Sequence, residues 1–282
     1  MKNKNFKSSL IGIIVPEIKH PFFAAILDGI EEVAFKKGFG VLLSQSNEKY
    51  SREIAAVNHL VSLGVDGLLI SVSQETKNGQ HLKWVLEKKI PLVFFDRVCE
   101  DVPVTRVVVD DYEGAYKATE HLILSGYTRI AHFAGYNYLK IAKDRLKGYK
   151  AALENYDFTF DEKLVFYGGL SQEDGEKNFK EFLKLKPLPD AIFAVNDPVA
   201  IGILNGMKKA GIRVQEDIGL VGFSNNQVVA MIEPPLTTVS QPRYEMGKVA
   251  AQMLIEQIEN GSMYNQNIEK VLKTKLIIRQ TT

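Results

Sequence analysis

Scarcity carries the first information in this sequence. It holds one cysteine, Cys99, so no disulfide can form within the chain and no zinc site can be built from thiolates. That usage implies a reducing compartment, and Cys99 reads as small apolar filler at a strand end. Excess charge is also missing: 35 Lys and Arg face 34 Asp and Glu, leaving +1. A nearly neutral chain does not hold nucleic acid through bulk charge, because that attraction needs a concentrated basic surface. Lys2, Lys4 and Lys7 near the amino end read as solvation of a tail. No apolar run approaches the ~18 residues that cross a bilayer. Leu10–Val15 stops at Pro16 and Glu17, with no small-residue cleavage pattern after it, so it is not a usable signal peptide.

Catalytic and metal motifs are absent as well. His20, His59, His81, His121 and His132 form no HxxxH, HExxH or HxH pair. The first strand is not followed by GxGxxG, and no Walker-type loop or GxSxG elbow occurs. Neither a metal nor a cofactor is implied. Nothing pairs an acid with a base or a nucleophile, so the chain reads as a binding protein and not an enzyme.

What is present is rhythm. Short apolar, β-branched runs fall at Leu10–Val15, Val41–Ser44, Gly67–Ser71, Pro91–Asp96, Arg106–Asp110, Arg129–Ala134, Leu164–Tyr167, Ala191–Val195 and Ile218–Phe223. Continuous rather than alternating apolar runs mark strands buried on both faces. Amphipathic stretches separate them, as in an α/β protein of parallel sheets flanked by helices. Ser51 is expected to cap a helix ended by Gly64. Asp197 is expected to cap one that has Pro198 in its first turn and Gly211 at its end. Tyr112, Tyr116, Thr119 and Ile123 are read as one helix stripe. Met246, Val249, Ala250, Met253 and Leu254 are read as another. So many strands suit two doubly wound sheets of about five each, joined by a short hinge near Val109–Tyr112. A last strand over Val271–Ile278 docks on one lobe or is shared by both.

Polar and aromatic residues gather just after these runs, where loops of open parallel sheets converge on ligands. They are His20, Phe22 and Phe23; Ser44–Asn47; Ser71 and Ser73; Asp96 and Arg97; Asn196 and Asp197; and Ser224–Asn226. Amides, hydroxyls and a carboxylate beside aromatic faces suit a hydroxyl-rich small molecule.

The stretches LIGIIVPEIKHPFF, GVDGLLIS, PLVFFDR, VVVDDYEGAYKATEHLILSGYTRIAHFAG, DRLKGYKAAL, AIFAVNDPVAIG, IGLVGFSNN and PPLTTVSQP occur in this order. Together they resemble the effector-binding core of the lactose/galactose repressor family of transcription regulators, over Leu10 to about Arg279. The resemblance implies a periplasmic-binding-protein-like fold of type 1, with two lobes joined by a three-strand hinge. The first lobe would be 9–110 plus 240–269 and the second 111–239 plus 270–282, after a tail of residues 1–8 left from the linker. It implies a cytoplasmic homodimer that takes a sugar-like effector in the interlobe cleft. Operator DNA would be read by an N-terminal helix-turn-helix domain expected to be missing here, since nine residues precede Leu10. A periplasmic sugar receptor is the competing reading.

Carried over residue by residue, the resemblance implies that Phe22 and Phe23 wall the ligand, with Asn47 and Ser71 beside them. Asp96 takes hydroxyls, and Arg145 reaches the cleft as a charged donor whose removal leaves the empty fold intact. Asn196 contacts ligand while Asp197 caps its helix, and Ser224 and Gln241 complete the set. Ser224 stands where many sugar-responsive members carry Asp. A neutral, shorter hydroxyl there does not imply a simple diol clamp.

Overall fold

The computed structural model describes residues 9–19, 21–261 and 267–282. The tail over residues 1–8 and His20 lie outside the described residues. The chain divides into two compact units, residues 1–108 with 242–272, and residues 109–241 with 273–282. It therefore passes from one to the other three times.

Unit 1 alternates strand and helix: β1 (Leu10–Val15), α1 (Pro21–Lys36), β2 (Gly40–Gln45), α2 (Tyr50–Ser62), β3 (Gly67–Ile70), α3 (Gln80–Glu87), β4 (Leu92–Phe95) and β5 (Thr105–Val109). Unit 2 continues with α4 (Asp111–Leu124), β6 (Ile130–Gly135), α5 (Lys140–Asn155), β7 (Val165–Tyr167), α6 (Gln172–Phe182), β8 (Ala191–Ala194), α7 (Asp197–Ala210), β9 (Gly219–Ser224) and β10 (Thr237–Ser240). The chain then adds α8 (Arg243–Asn260) and β11 (Glu269–Leu272) to unit 1, and β12 (Lys275–Ile277) to unit 2.

Each unit has a six-stranded sheet, ordered β2-β1-β3-β4-β5-β11 in one and β7-β6-β8-β9-β10-β12 in the other. β1 pairs in parallel with both β2 and β3, and β6 with both β7 and β8. At β1 and β6 the winding reverses, so successive connections leave toward opposite faces and open a crevice at the carboxyl edge. β12 is antiparallel to β10.

The strands exist because they can be buried on both sides. Leu68, Ile70, Leu92 and Phe94 are wholly buried in the core of unit 1, as are Ile192, Ala194 and Leu220 in unit 2. Each such side chain larger than alanine contributes roughly 1.5–3 kcal/mol by leaving water.

Several local expectations need correction. Asn196, not Asp197, caps α7: its side chain accepts from the Val199 amide. Asp197 is instead drawn wholly inside, accepting from the Asn226 amide at 2.8 Å and the Thr238 hydroxyl at 2.6 Å. α2 starts one residue before Ser51, and its cap position, Lys49, makes no side-chain cap. The buried face of α4 holds Thr119, as expected, together with Asp111, Ala115, Ala118 and Leu122, and leaves Tyr112 exposed. Val249 and Met253 are only partly buried, and the inner face of α8 continues through Ala251, Ile255 and Ile258. β10 was not expected, and the run 271–278 is shared by both units, one of the two alternatives expected, but as the two strands β11 and β12 rather than one.

Candidate functional site

In unit 1 the carboxyl edge is organised around one carboxylate. Asp96 follows β4 with φ of 58°, a left-handed conformation, and its amide donates to the Val107 carbonyl at 3.0 Å. Its Oδ2 accepts from the Ser71 hydroxyl at 3.4 Å and lies 3.9 Å from Arg97 Nε. Arg97 donates through one nitrogen to both oxygens of Glu48, at 2.8 and 2.9 Å. Burial works against the Arg97 charge, but Glu48 and Asp96 outweigh it and hold its pKa above the ordinary value. Glu48 also accepts from the Gln74 amide at 2.7 Å. Two consecutive left-handed residues, Asn47 and Glu48, turn the chain after β2 so that this carboxylate faces Arg97.

Phe22 and Phe23 open α1, both buried and packed edge to face at 5.2 Å. Asn47 borders an open hollow of about 580 Å³ with Ile18, Lys19 and Gln45. Ser46 beside it is fully buried, and its hydroxyl has no partner.

In unit 2 Arg145, expected to reach the cleft as a charged donor, is buried and bonded within the unit. Its Nε donates to Asp111 Oδ1 at 2.8 Å, and another guanidinium nitrogen lies 2.7 Å from the same oxygen. A third donates to the Val195 carbonyl at 2.5 Å, and the group lies 3.7 Å from the centre of the Phe223 ring. Burial pushes the Asp111 carboxyl above its usual range even with Arg145 beside it. Replacing Arg145 would therefore leave a buried carboxylate alone, which weighs against an unaffected empty fold.

Asn196 is engaged at both ends of its amide, accepting from Val199 and donating to the Leu170 carbonyl at 2.9 Å. Ser224, strained at φ of 129°, accepts from Gln241 Nε2 at 3.1 Å. That bond fixes the Gln241 amide with its Oε1 buried and without a partner. A buried acceptor left so costs roughly 1–3 kcal/mol until a donor reaches it.

The structure thus joins Ser71 to Asp96, and Ser224 to Gln241. It ties in Arg97, already noted beside Asp96, and adds Glu48, Asp111 and Phe223, which sequence reasoning did not single out as site residues. One signal was available for Asp111. Asp110 alone caps α4, accepting from the Glu113 amide, so a second adjacent Asp is free to point inward. Among the described residues no cluster of His, Cys, Asp or Glu is placed to hold a metal, and no helix is long and apolar enough to cross a membrane.

Residues 8–279 match the family described as periplasmic binding proteins and sugar binding domain of the LacI family. This chain belongs to the LacI family. It is similar to the ribose operon repressor of Halalkalibacterium halodurans, 33% identical over 98% of this chain and 80% of that protein. It is 30% identical to the transcriptional repressor CytR of Escherichia coli, over 99% of this chain and 81% of the relative. Among solved structures, a LacI-family regulator from Enterococcus faecium with bound ribose superposes with a TM-score of 0.82 at 27% identity, covering 97% of this chain and 98% of that one. The two parallel-sheet units are the effector-binding fold of LacI-family transcription regulators, and the repressor reading prevails over the transport receptor.

Proposed function

We propose that this LacI-family chain senses a small hydroxyl-bearing effector, a sugar or nucleoside, through loops at the carboxyl edges of its two sheets. Phe22, Phe23, Asn47, Ser71 and Asp96 serve from unit 1, and Arg145, Asn196, Ser224 and Gln241 from unit 2. Asp96 accepts ligand hydroxyls. Gln241 Oε1 accepts one more donor, the phenylalanines give flat apolar walls, and Arg145 acts chiefly by ordering the edge formed by Val195 and Asn196. The observation that carries this reading is Asp96 itself. It is a carboxylate held in a left-handed conformation by Val107 and Ser71, with its neighbouring arginine already committed to Glu48.

The regulator works as a cytoplasmic homodimer, with operator DNA read by a helix-turn-helix domain. Effector shifts the balance between two states only by its differential affinity for them, and operator affinity changes by the same coupling factor. Ribose, bound by the Enterococcus faecium regulator, is the first compound to try. A thermal-shift screen of ribose, other neutral sugars and nucleosides tests the reading. An effector at a hundred times its Kd adds about 2.7 kcal/mol of stability. No shift with any of them, at millimolar concentration, would overturn it.

A further inference from the structure

The amino edge of the unit 2 sheet carries an arginine with nothing to hold. The amides of Thr128 and Arg129 donate to the Asp190 carboxylate at 2.8 and 2.9 Å, which fixes the backbone just before β6. The Arg129 side chain then lines an open hollow of about 570 Å³, together with Ile130, Leu153, Phe158 and Phe160. Its Nε is buried without a hydrogen-bond partner. Among the described residues, no ion pair engages the guanidinium at all. The rest of the side chain is partly exposed, but a buried donor without an acceptor is costly and favours an incoming acceptor.

Two carboxylates, Asp161 and Glu162, line the same hollow. Both have other work. Asp161 accepts from the Lys163 amide at 3.0 Å, and Glu162 accepts from the Tyr167 hydroxyl at 2.7 Å. They leave Arg129 unneutralised yet add negative potential around it. The hollow lies at the end of β6 opposite the carboxyl edge, and the six residues of that strand span about 20 Å. It is therefore separate from the effector residues of unit 2.

We propose that this hollow is a second ligand site, which takes a small aromatic monocarboxylate. The carboxylate pairs with Arg129 and the ring lies among Phe158, Phe160 and Leu153. A bidentate, charge-assisted pair with a guanidinium gives the site its affinity, and the apolar walls select the ring. The neighbouring Asp161 and Glu162 select against dianions such as phosphate esters.

The whole chain is titrated with benzoate, with neutral benzamide and with phenyl phosphate, following amide resonances of residues 128–130 and 158–164 by NMR. Benzoate moves these resonances, while benzamide and phenyl phosphate bind at least about tenfold more weakly, as expected when a charge-assisted bond is lost or repelled. Arg129→Gln loses the same factor for benzoate and leaves the Tm of the free protein unchanged or higher. Three results would overturn the site: benzoate no tighter than benzamide, benzoate binding unaffected by Arg129→Gln, or a Tm lowered by several degrees in Arg129→Gln. The last would mean that the guanidinium already serves the fold.

Discussion

Glu48 grips Arg97 through both carboxylate oxygens, and by doing so keeps Arg97 from closing on Asp96, whose nearer oxygen stays 3.9 Å from Arg97 Nε. In Glu48→Gln the amide holds Arg97 less well, so Arg97 moves onto Asp96 and occupies the lone pairs meant for ligand. The expected outcome is effector affinity weakened about tenfold, equivalent to about 1.4 kcal/mol, with the fold retained. Isothermal calorimetry checks it, using whichever sugar or nucleoside raises the Tm. Unchanged affinity would remove Glu48 from this role.

Arg145 and Asp111 predict a different pattern. Arg145→Met strands a buried carboxylate and should cost about 3–5 kcal/mol. Arg145→Met combined with Asp111→Leu removes both charges and should recover most of that stability, though not the ordering of the Val195 carbonyl. Urea denaturation of the two single variants and the double variant measures the coupling. Additive losses would show that the two groups do not depend on each other.

His132 sets a pH dependence. It is wholly buried, donates from Nδ1 to the Phe193 carbonyl at 2.9 Å, and is stacked against Phe193 and Tyr149 at 4.7 and 5.1 Å. Burial lowers its pKa from the model-peptide 6.5 to about 3. The folded state thus refuses a proton that the unfolded state accepts. The contribution of neutral His132 is fully present above the unfolded pKa and is lost as pH falls from 6.5 toward 3. The slope approaches about 1.4 kcal/mol per pH unit. In His132→Phe, denaturation midpoints should fall less steeply across that window. Parallel curves for the variant and the parent protein would refute this.

Helices α1 and α8 touch through glycines. A methyl group added at Gly247 would meet the Ile26 carbonyl oxygen, and one added at Gly29 would meet the Tyr244 carbonyl oxygen. Neither oxygen can move aside, because both belong to helix backbone. Gly247→Ala gains helix propensity but must push the helices apart, and should lose about 1–3 kcal/mol. Thermal denaturation checks it, and a Tm equal to or above that of the parent chain would contradict it.

The α/β architecture was legible because strands buried on both faces are written as unbroken apolar runs. β10 escaped because it is written in hydroxyls. Thr237 and Thr238 are both wholly buried, and they satisfy themselves on the Thr282 hydroxyl and on Asp197. A polar residue with a buried partner looks like a loop residue in sequence. The cap of α7 was misassigned for a related reason. Asn196 and Asp197 are both able to cap, and the choice depends on which of them the interior needs. Arg145 was recognised as important from its place on α5, but its partner Asp111 lies 34 positions away on another helix. Helical spacing says nothing about a partner at that distance, so the ion pair with Asp111 was not foreseen. Arg97 stood next to Asp96 in the sequence, yet its tie to Glu48 spans 49 positions.

The closing stretch of the chain completes both units at once. β11 supplies the edge strand of the first sheet and β12 that of the second. Thr281, the penultimate residue, is fully buried, donates to the Leu220 carbonyl at 2.6 Å and accepts from the Thr237 amide at 2.9 Å. During synthesis, then, neither half can complete its sheet until the segment over residues 269–282 has left the ribosome. Until then a nascent chain would carry two unfinished sheet edges, open to mispairing. Loss of only the last few residues should register as poor accumulation in the cell before any loss of ligand response.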